Sequence, residues 1–165
     1  MPDLLSHAFI AYTLCTLLAL RYEWVFPQYV TVGMAGAFIP DLAKIELVLD
    51  DAVVGNALGL PFAWSGLHTL GGAAVSVLIG VILVRPAERT RVGGLLALGA
   101  ASHLTVDTFL LKASGRSYSV FWPLTQYVPP TPGLYLSTDL WPSVATGMAA
   151  FVTWVIVRRG VGCRK

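Results

Sequence analysis

The chain has 165 residues, 56% of them hydrophobic and 12% charged, with a formal net charge of +2. Soluble domains carry about 45–50% apolar and about 25% charged residues, so this composition excludes a disordered chain and cannot dress the surface of a soluble globule. A mean hydropathy of +0.71 points to a membrane as the solvent, and basic residues that form no basic face leave no role for nucleic acid.

In chain order, Met1-Pro2-Asp3 lacks the basic start of a signal peptide, so the first apolar run is expected to stay in the mature protein. Runs free of Asp, Glu, Lys and Arg cover Leu4–Leu20, Trp24–Pro40, Ala52–Val84 and Leu140–Val157, and Val92–Leu111 is broken only by His103 and Asp107. Each can supply a spanning helix of about 20 residues. The expectation is an all-α, integral membrane bundle forming one domain over 1–165, with five spans at 4–20, 28–49, 66–84, 92–111 and 140–158. The third run is too long for one span, and Gly55, Asn56, Gly59, Pro61 and Gly66 mark its first part as a loop or re-entrant segment. Gly71/Gly72, Gly93/Gly94 and Gly99-Ala100-Ala101-Ser102 are places for close helix approach. Cys15 reads as a packing thiol and Cys163 as a tail thiol, with no disulfide framework.

Five spans put the termini on opposite sides. With the N-terminus outside, the inner face receives Arg21, Arg85, Arg89, Arg91, Arg158, Arg159, Arg164 and Lys165, and the outer face Lys44, Lys112 and Arg116. Eight against three favours N-out, C-in. The outer segment 112–139 carries Tyr118, Phe121, Trp122, Tyr127 and Tyr135 among prolines, a composition suited to a folded loop at headgroup level.

All three histidines, His7, His68 and His103, fall in or beside apolar runs, as do Asp3, Asp41 and Asp107. An ionisable group there is costly unless it is paired or metal-bound. The pairs Asp3/His7 and His103/Asp107 are i,i+4, which sets each on one helix face. Counting along each helix places His7, Asp41, His68, His103 and Asp107 in one layer about 17–24 Å from the inner edge of a core about 30 Å thick. Such a mixture of nitrogen and oxygen donors suits zinc, manganese or iron, in a buried site opening outward. The same residues are also compatible with helix-packing hydrogen bonds, a structural ion pair or a proton relay, and Asp3 with a helix cap after Pro2. Lys44 and Glu46 are compatible with simple snorkelling to the interface.

Asp3-Leu-Leu-Ser-His7, Ile39-Pro40-Asp41, Leu67-His68-Thr69, Ser102-His103-Leu-Thr-Val-Asp107 and Phe121-Trp122-Pro123-Leu124 together span most of the chain. In order and spacing the chain resembles the membrane-bound metal-dependent hydrolases of the LexA-regulated inner-membrane type, grouped with the zinc-dependent phospholipase C superfamily. The resemblance implies His7, Asp41, His68, His103 and Asp107 as ligands of a divalent metal, foremost zinc, with Asp3 a sixth. Two departures stand out: Ala43 replaces a further acid two residues after the Pro-Asp, and Ala63 and Trp64 replace a His-Arg ahead of His68.

The leading expectation is a metal-dependent hydrolase of a phosphoester at the outer membrane surface. Asp3, Asp41 or Asp107 would accept a proton from water, and Lys44, Lys112 or Arg116 would neutralise an anionic, lipid or small-molecule substrate. The rivals are a proton or metal-ion carrier using the same residues, and a non-catalytic membrane protein with a structural metal.

Overall fold

The computed structural model describes residues 2–162, and side chains from residue 4 to 159. It is all-helical: among the described residues the only extended pairings are isolated bridges, Leu110 with Tyr135 and Arg116 with Pro130. The tail thiol expected at Cys163, the basic pair Arg164 and Lys165, and the side chain of Asp3 lie outside what is described.

Six α-helices succeed one another: α1 (Pro2–Arg21), α2 (Pro27–Phe38), α3 (Asp51–Leu58), α4 (Leu70–Leu83), α5 (Arg89–Asp107) and α6 (Trp141–Gly162). Helices occupy all five segments expected from the sequence, with altered ends. The largest change is in the second. A continuous helix over 28–49 was expected, but α2 stops at Phe38 and the chain tightens into a 3₁₀ helix over Pro40–Leu47. Pro40 explains this, because it has no N–H to continue the ladder and its ring crowds the carbonyl four residues back. That carbonyl, on Gly36, instead accepts from Ile39 at 3.2 Å, a 3₁₀-type bond.

The segment expected to be a loop or re-entrant, 52–65, is partly helical. Asp50 caps α3 by accepting from the Ala52 N–H at 2.7 Å, and Gly59 closes it in the left-handed conformation at φ 66°. A second 3₁₀ helix, Trp64–His68, precedes α4. Thr69 caps α4, and the loop carbonyls of Val120 and Trp122 take the N–H groups of Leu70 and Gly71 at 2.7 and 2.8 Å. The aromatic loop is thereby fastened to the start of α4.

The helices pack in the order α6, α1, α2, α5, α4, and the 3₁₀ helices Pro40–Leu47 and Trp64–His68 pack on each other across one end of the bundle. Small residues decide how closely α2 and α5 approach. A β-carbon at Gly99 would lie 2.1 Å from the Gly33 carbonyl oxygen, and one at Gly36 2.4 Å from that of Leu96. Gly99→Ala is therefore expected to push the two helices apart and to destabilise by about 1–3 kcal/mol. Thermal unfolding checks this against Gly94→Ala, where a β-carbon meets nothing within 4 Å; equal midpoints would contradict the backbone contact. At the far end, Tyr29 hydrogen-bonds Glu88, and Arg91 lies 3.8 Å from that carboxylate and 5.4 Å from the centre of the Trp24 ring.

Much of the surface is apolar. On α4 Val75, Leu78, Ile79, Ile82 and Leu83 are exposed at helical spacing, and on α6 so are Val144, Met148, Phe151 and Val152. Stripes of this kind need a covering other than water. Among the described residues one helix, over Leu4–Arg21, is long and apolar enough to cross a membrane, while Leu70–Leu83 is apolar but has 14 residues.

A candidate metal centre at the end of the bundle

Four separate elements bring imidazole or carboxylate to one point. His7 comes from the second turn of α1, Asp41 from the first turn of the Pro40–Leu47 helix, and His68 from the end of the Trp64–His68 helix. His103 and Asp107 come from the last turns of α5, one above the other. The 3₁₀ turn at Pro40 matters here. It buries Asp41 and, by eclipsing residues three apart, brings Lys44 into an ion pair with it.

Asp107 is the hub. Its Oδ1 lies 3.1 Å from His7 Nε2, and its Oδ2 lies 2.9 Å from His68 Nε2 and 3.5 Å from His103 Nε2. Asp41 Oδ1 is 3.9 Å from His103 Nε2. The rings of His7 and His103, 2% and 0% exposed, stack with centroids 3.7 Å apart, and His68 meets His103 edge-on at 5.2 Å. Two overlapping trios, His7/His103/Asp107 and Asp41/His68/His103, have donor atoms within 4.8 Å of one another and could hold a metal ion.

The tautomers follow from the backbone. His103 Nδ1 lies 2.7 Å from the Ala37 carbonyl and His68 Nδ1 3.3 Å from that of Pro40. A carbonyl only accepts, so in both rings Nδ1 donates and a neutral ring carries its lone pair on Nε2. Those Nε2 atoms, with His7 Nδ1 and Asp41 Oδ2, are buried without a hydrogen-bond partner. With the rings neutral, lone pairs of imidazole and carboxylate thus face one another over about 3–4 Å, an arrangement that a metal ion between them, or a proton on a ring, relieves. Nδ1–H donation to a carbonyl is also how metal-binding histidines are held. The donor set fits a divalent metal.

The centre opens on a cleft of ≈ 400 Å³ whose walls include Lys44, Glu46, Ser65, Tyr118 and Ser137. Of the cations expected near the site, Lys44 lines the cleft. Lys112 instead rests its ammonium 3.0 Å above the centre of the Tyr118 ring, where burial lowers its pKa to about 8 against an opposing pull from Asp107. Arg116 is exposed in the loop and does not line the cleft. Tyr118 was not singled out as a site residue from the sequence, where it was one aromatic among several. Its ring lies 4.8 Å from that of His68, and its hydroxyl is pushed above the usual tyrosine range by burial and by the carboxylates of Asp107 and Asp41. Ala43 lines the cleft where the resemblance leads to an acid, and Trp64 donates its indole N–H to the Leu49 carbonyl at 2.8 Å.

Fold and site together define an all-α protein with apolar flanks and a buried His/Asp centre able to accept a metal. The chain belongs to the YdjM inner membrane protein family, whose profile matches residues 1–163. It is thus a member of a membrane protein family. No curated protein and no solved structure matches it.

Proposed function

We propose that the protein is a multi-pass, metal-dependent hydrolase of phosphoesters, with its site at the outer face of the membrane. The observation that carries this is the convergence of unpartnered imidazole nitrogens on the Asp41 and Asp107 carboxylates beneath an open cleft. His7, Asp41, His68, His103 and Asp107 would hold the ion, zinc foremost, with manganese or iron suited to the same donors. Such an ion supplies Lewis acidity and a water ionising near pH 7, to about the extent seen in zinc hydrolases.

The chain's own groups do the rest. Asp41 Oδ2 has no hydrogen-bond partner and is the oxygen free to take a proton from an attacking water. Lys44, paired with Asp41 at the cleft wall, faces the place where an anionic substrate would lie. Tyr118 packs its ring edge-on against His68 at the cleft wall. A carrier would need a path through the bundle, and the backbone contact of Gly33 and Gly36 with Gly99 packs the interior one turn below His103.

Elemental analysis of untagged, detergent-purified protein is the first test, and stoichiometric zinc, manganese or iron is the expected result. Release of phosphate product from a phosphoester should then be abolished by a chelator and restored by the metal. A metal-free protein, or a metal-replete one that turns over no phosphoester and binds no vanadate, would sink the reading. For the topology, single cysteines in a cysteine-free background report each side. An impermeant maleimide is expected to label Ser114→Cys but not Arg89→Cys in intact cells, and the reverse pattern would invert the orientation.

A further inference from the structure

The cleft does not end at the metal centre. Ser65, His68 and Tyr118 are shared between it and a second hollow of ≈ 630 Å³, and Phe62, Ala63, Gly66 and Trp122 are shared between that hollow and a third of ≈ 480 Å³. The third hollow is lined by apolar side chains and glycines, among them Leu67, Gly71, Gly72 and Pro123, and it reaches Val75 on α4. From Val75 the exposed row Leu78, Ile79, Ile82 and Leu83 continues to the end of the helix. An unbroken path therefore leads from the imidazole cluster, through a trough without Asp, Glu, Lys or Arg in its walls, onto an apolar helix face that runs about 12 Å from Val75 to Leu83 by its helical rise, a little under half of a hydrocarbon core about 30 Å thick.

We infer that this trough is an acyl-chain subsite, so that the substrate is a phosphate-bearing membrane lipid that enters laterally with one hydrocarbon tail between Trp122 and the Phe62–Gly66 segment. The head end rests on the phosphoester reading above, but the tail end does not. Three features commit the groove to a lipid tail. It is continuous through His68 and Tyr118 with the cleft that the candidate metal donors and Lys44 line, so an occupant of the trough has its polar end at Lys44 and those donors. Each of its two hollows, ≈ 630 and ≈ 480 Å³, falls within the range of about 300–1,000 Å³ that ligand pockets occupy. Its far end opens on the exposed face of α4, which is where a bilayer tail would continue.

Gly66 provides the test, because a β-carbon there meets nothing within 4 Å while the residue lines both outer hollows. Gly66→Leu should fill the trough without moving a metal donor. Ala63→Trp adds an indole to the same groove, and Gly94→Leu, in open space on α5, is the control. The probe is phosphatidic acid with a diazirine in the middle of one acyl chain, held in phosphatidylcholine nanodiscs with the full chain. After photolysis, adducts mapped to residues 62–75 and 119–123 should fall at least tenfold in both groove variants. Adducts on α6, which samples the surrounding lipid, should be unchanged in all variants. Bound metal should be the same throughout, as a sign that the donor cluster is intact.

Equal labelling of the trough in wild type and Gly66→Leu would overturn the subsite and leave the hydrolase reading standing. Trough labelling that is lost in both variants, in a protein with no metal and no phosphoesterase activity, would keep the subsite and overturn the hydrolase. A diazirine diacylglycerol that labels the trough as well as phosphatidic acid would overturn the assignment of a phosphate-bearing lipid.

Discussion

Protein carrying His103→Ala is expected to retain less than about a tenth of the wild-type metal after dialysis, the scale reached even when groups behind the ligands are removed. His103 is the residue common to both donor trios, its ring is fully buried, and the Ala37 carbonyl fixes its Nε2 towards the carboxylates. Removing it takes away the donor that joins Asp41 to Asp107. Because truncating a buried ring also leaves a cavity, His103→Gln is the companion variant. Its amide fills much of the space and can still donate to Ala37, yet offers a poor metal donor. Metal content by elemental analysis is read beside the thermal midpoint. Phe121→Ala, an exposed loop substitution outside the donor cluster, should keep both. Stoichiometric metal in both His103 variants would remove His103 from the donor set and overturn its role as the residue that joins the two trios.

Spacing along the sequence reveals part of this centre, and physical reasons limit the remainder. His103 and Asp107 stand four apart on a helix, so their common face is legible without coordinates. His7 and His68 could be given a depth by counting residues, but not a facing, because rotation about each helix axis is set by packing. That packing turns on Gly33 and Gly36 of α2 as partners of Gly99, and only Gly99 stood out as a small-residue contact, since two glycines in a 12-residue apolar stretch have no mark of their own. The tightening at Pro40 is a different case. Proline signals a break, but whether the chain leaves the bundle or coils on as a 3₁₀ helix depends on the Trp64–His68 segment packed against it. That choice is what puts Asp41, Lys44 and His68 on one cleft. Tyr118 was hidden for the same reason: a long loop rich in aromatics and prolines gives composition, while contact with His68 arises from the pairing of Val120 and Trp122 with the start of α4.

Asp41→Asn is expected to lower chelator-sensitive phosphoester release by about 10²-fold or more, the range for loss of a positioned general base. The substitution keeps the volume of a buried side chain, so the fold should survive, as judged by helical circular dichroism and the retained packing of Pro40 and Ile39. It removes the charge that faces both His103 and Lys44. Two consequences separate its roles. If Asp41 acts as a ligand, metal affinity falls together with the rate, and excess metal restores part of the activity. Where it acts as the proton acceptor, metal content stays and kcat alone falls. Lys44→Met tells the cation's role apart from both, because loss of an anion-binding charge should raise KM for the phosphoester while metal content is kept. An Asp41→Asn protein that is folded, metal-replete and as active as wild type would remove Asp41 from the chemistry. Asp107, with three imidazoles around one carboxylate, and Glu46 on the cleft wall would then be the remaining acids able to serve a water in this cleft.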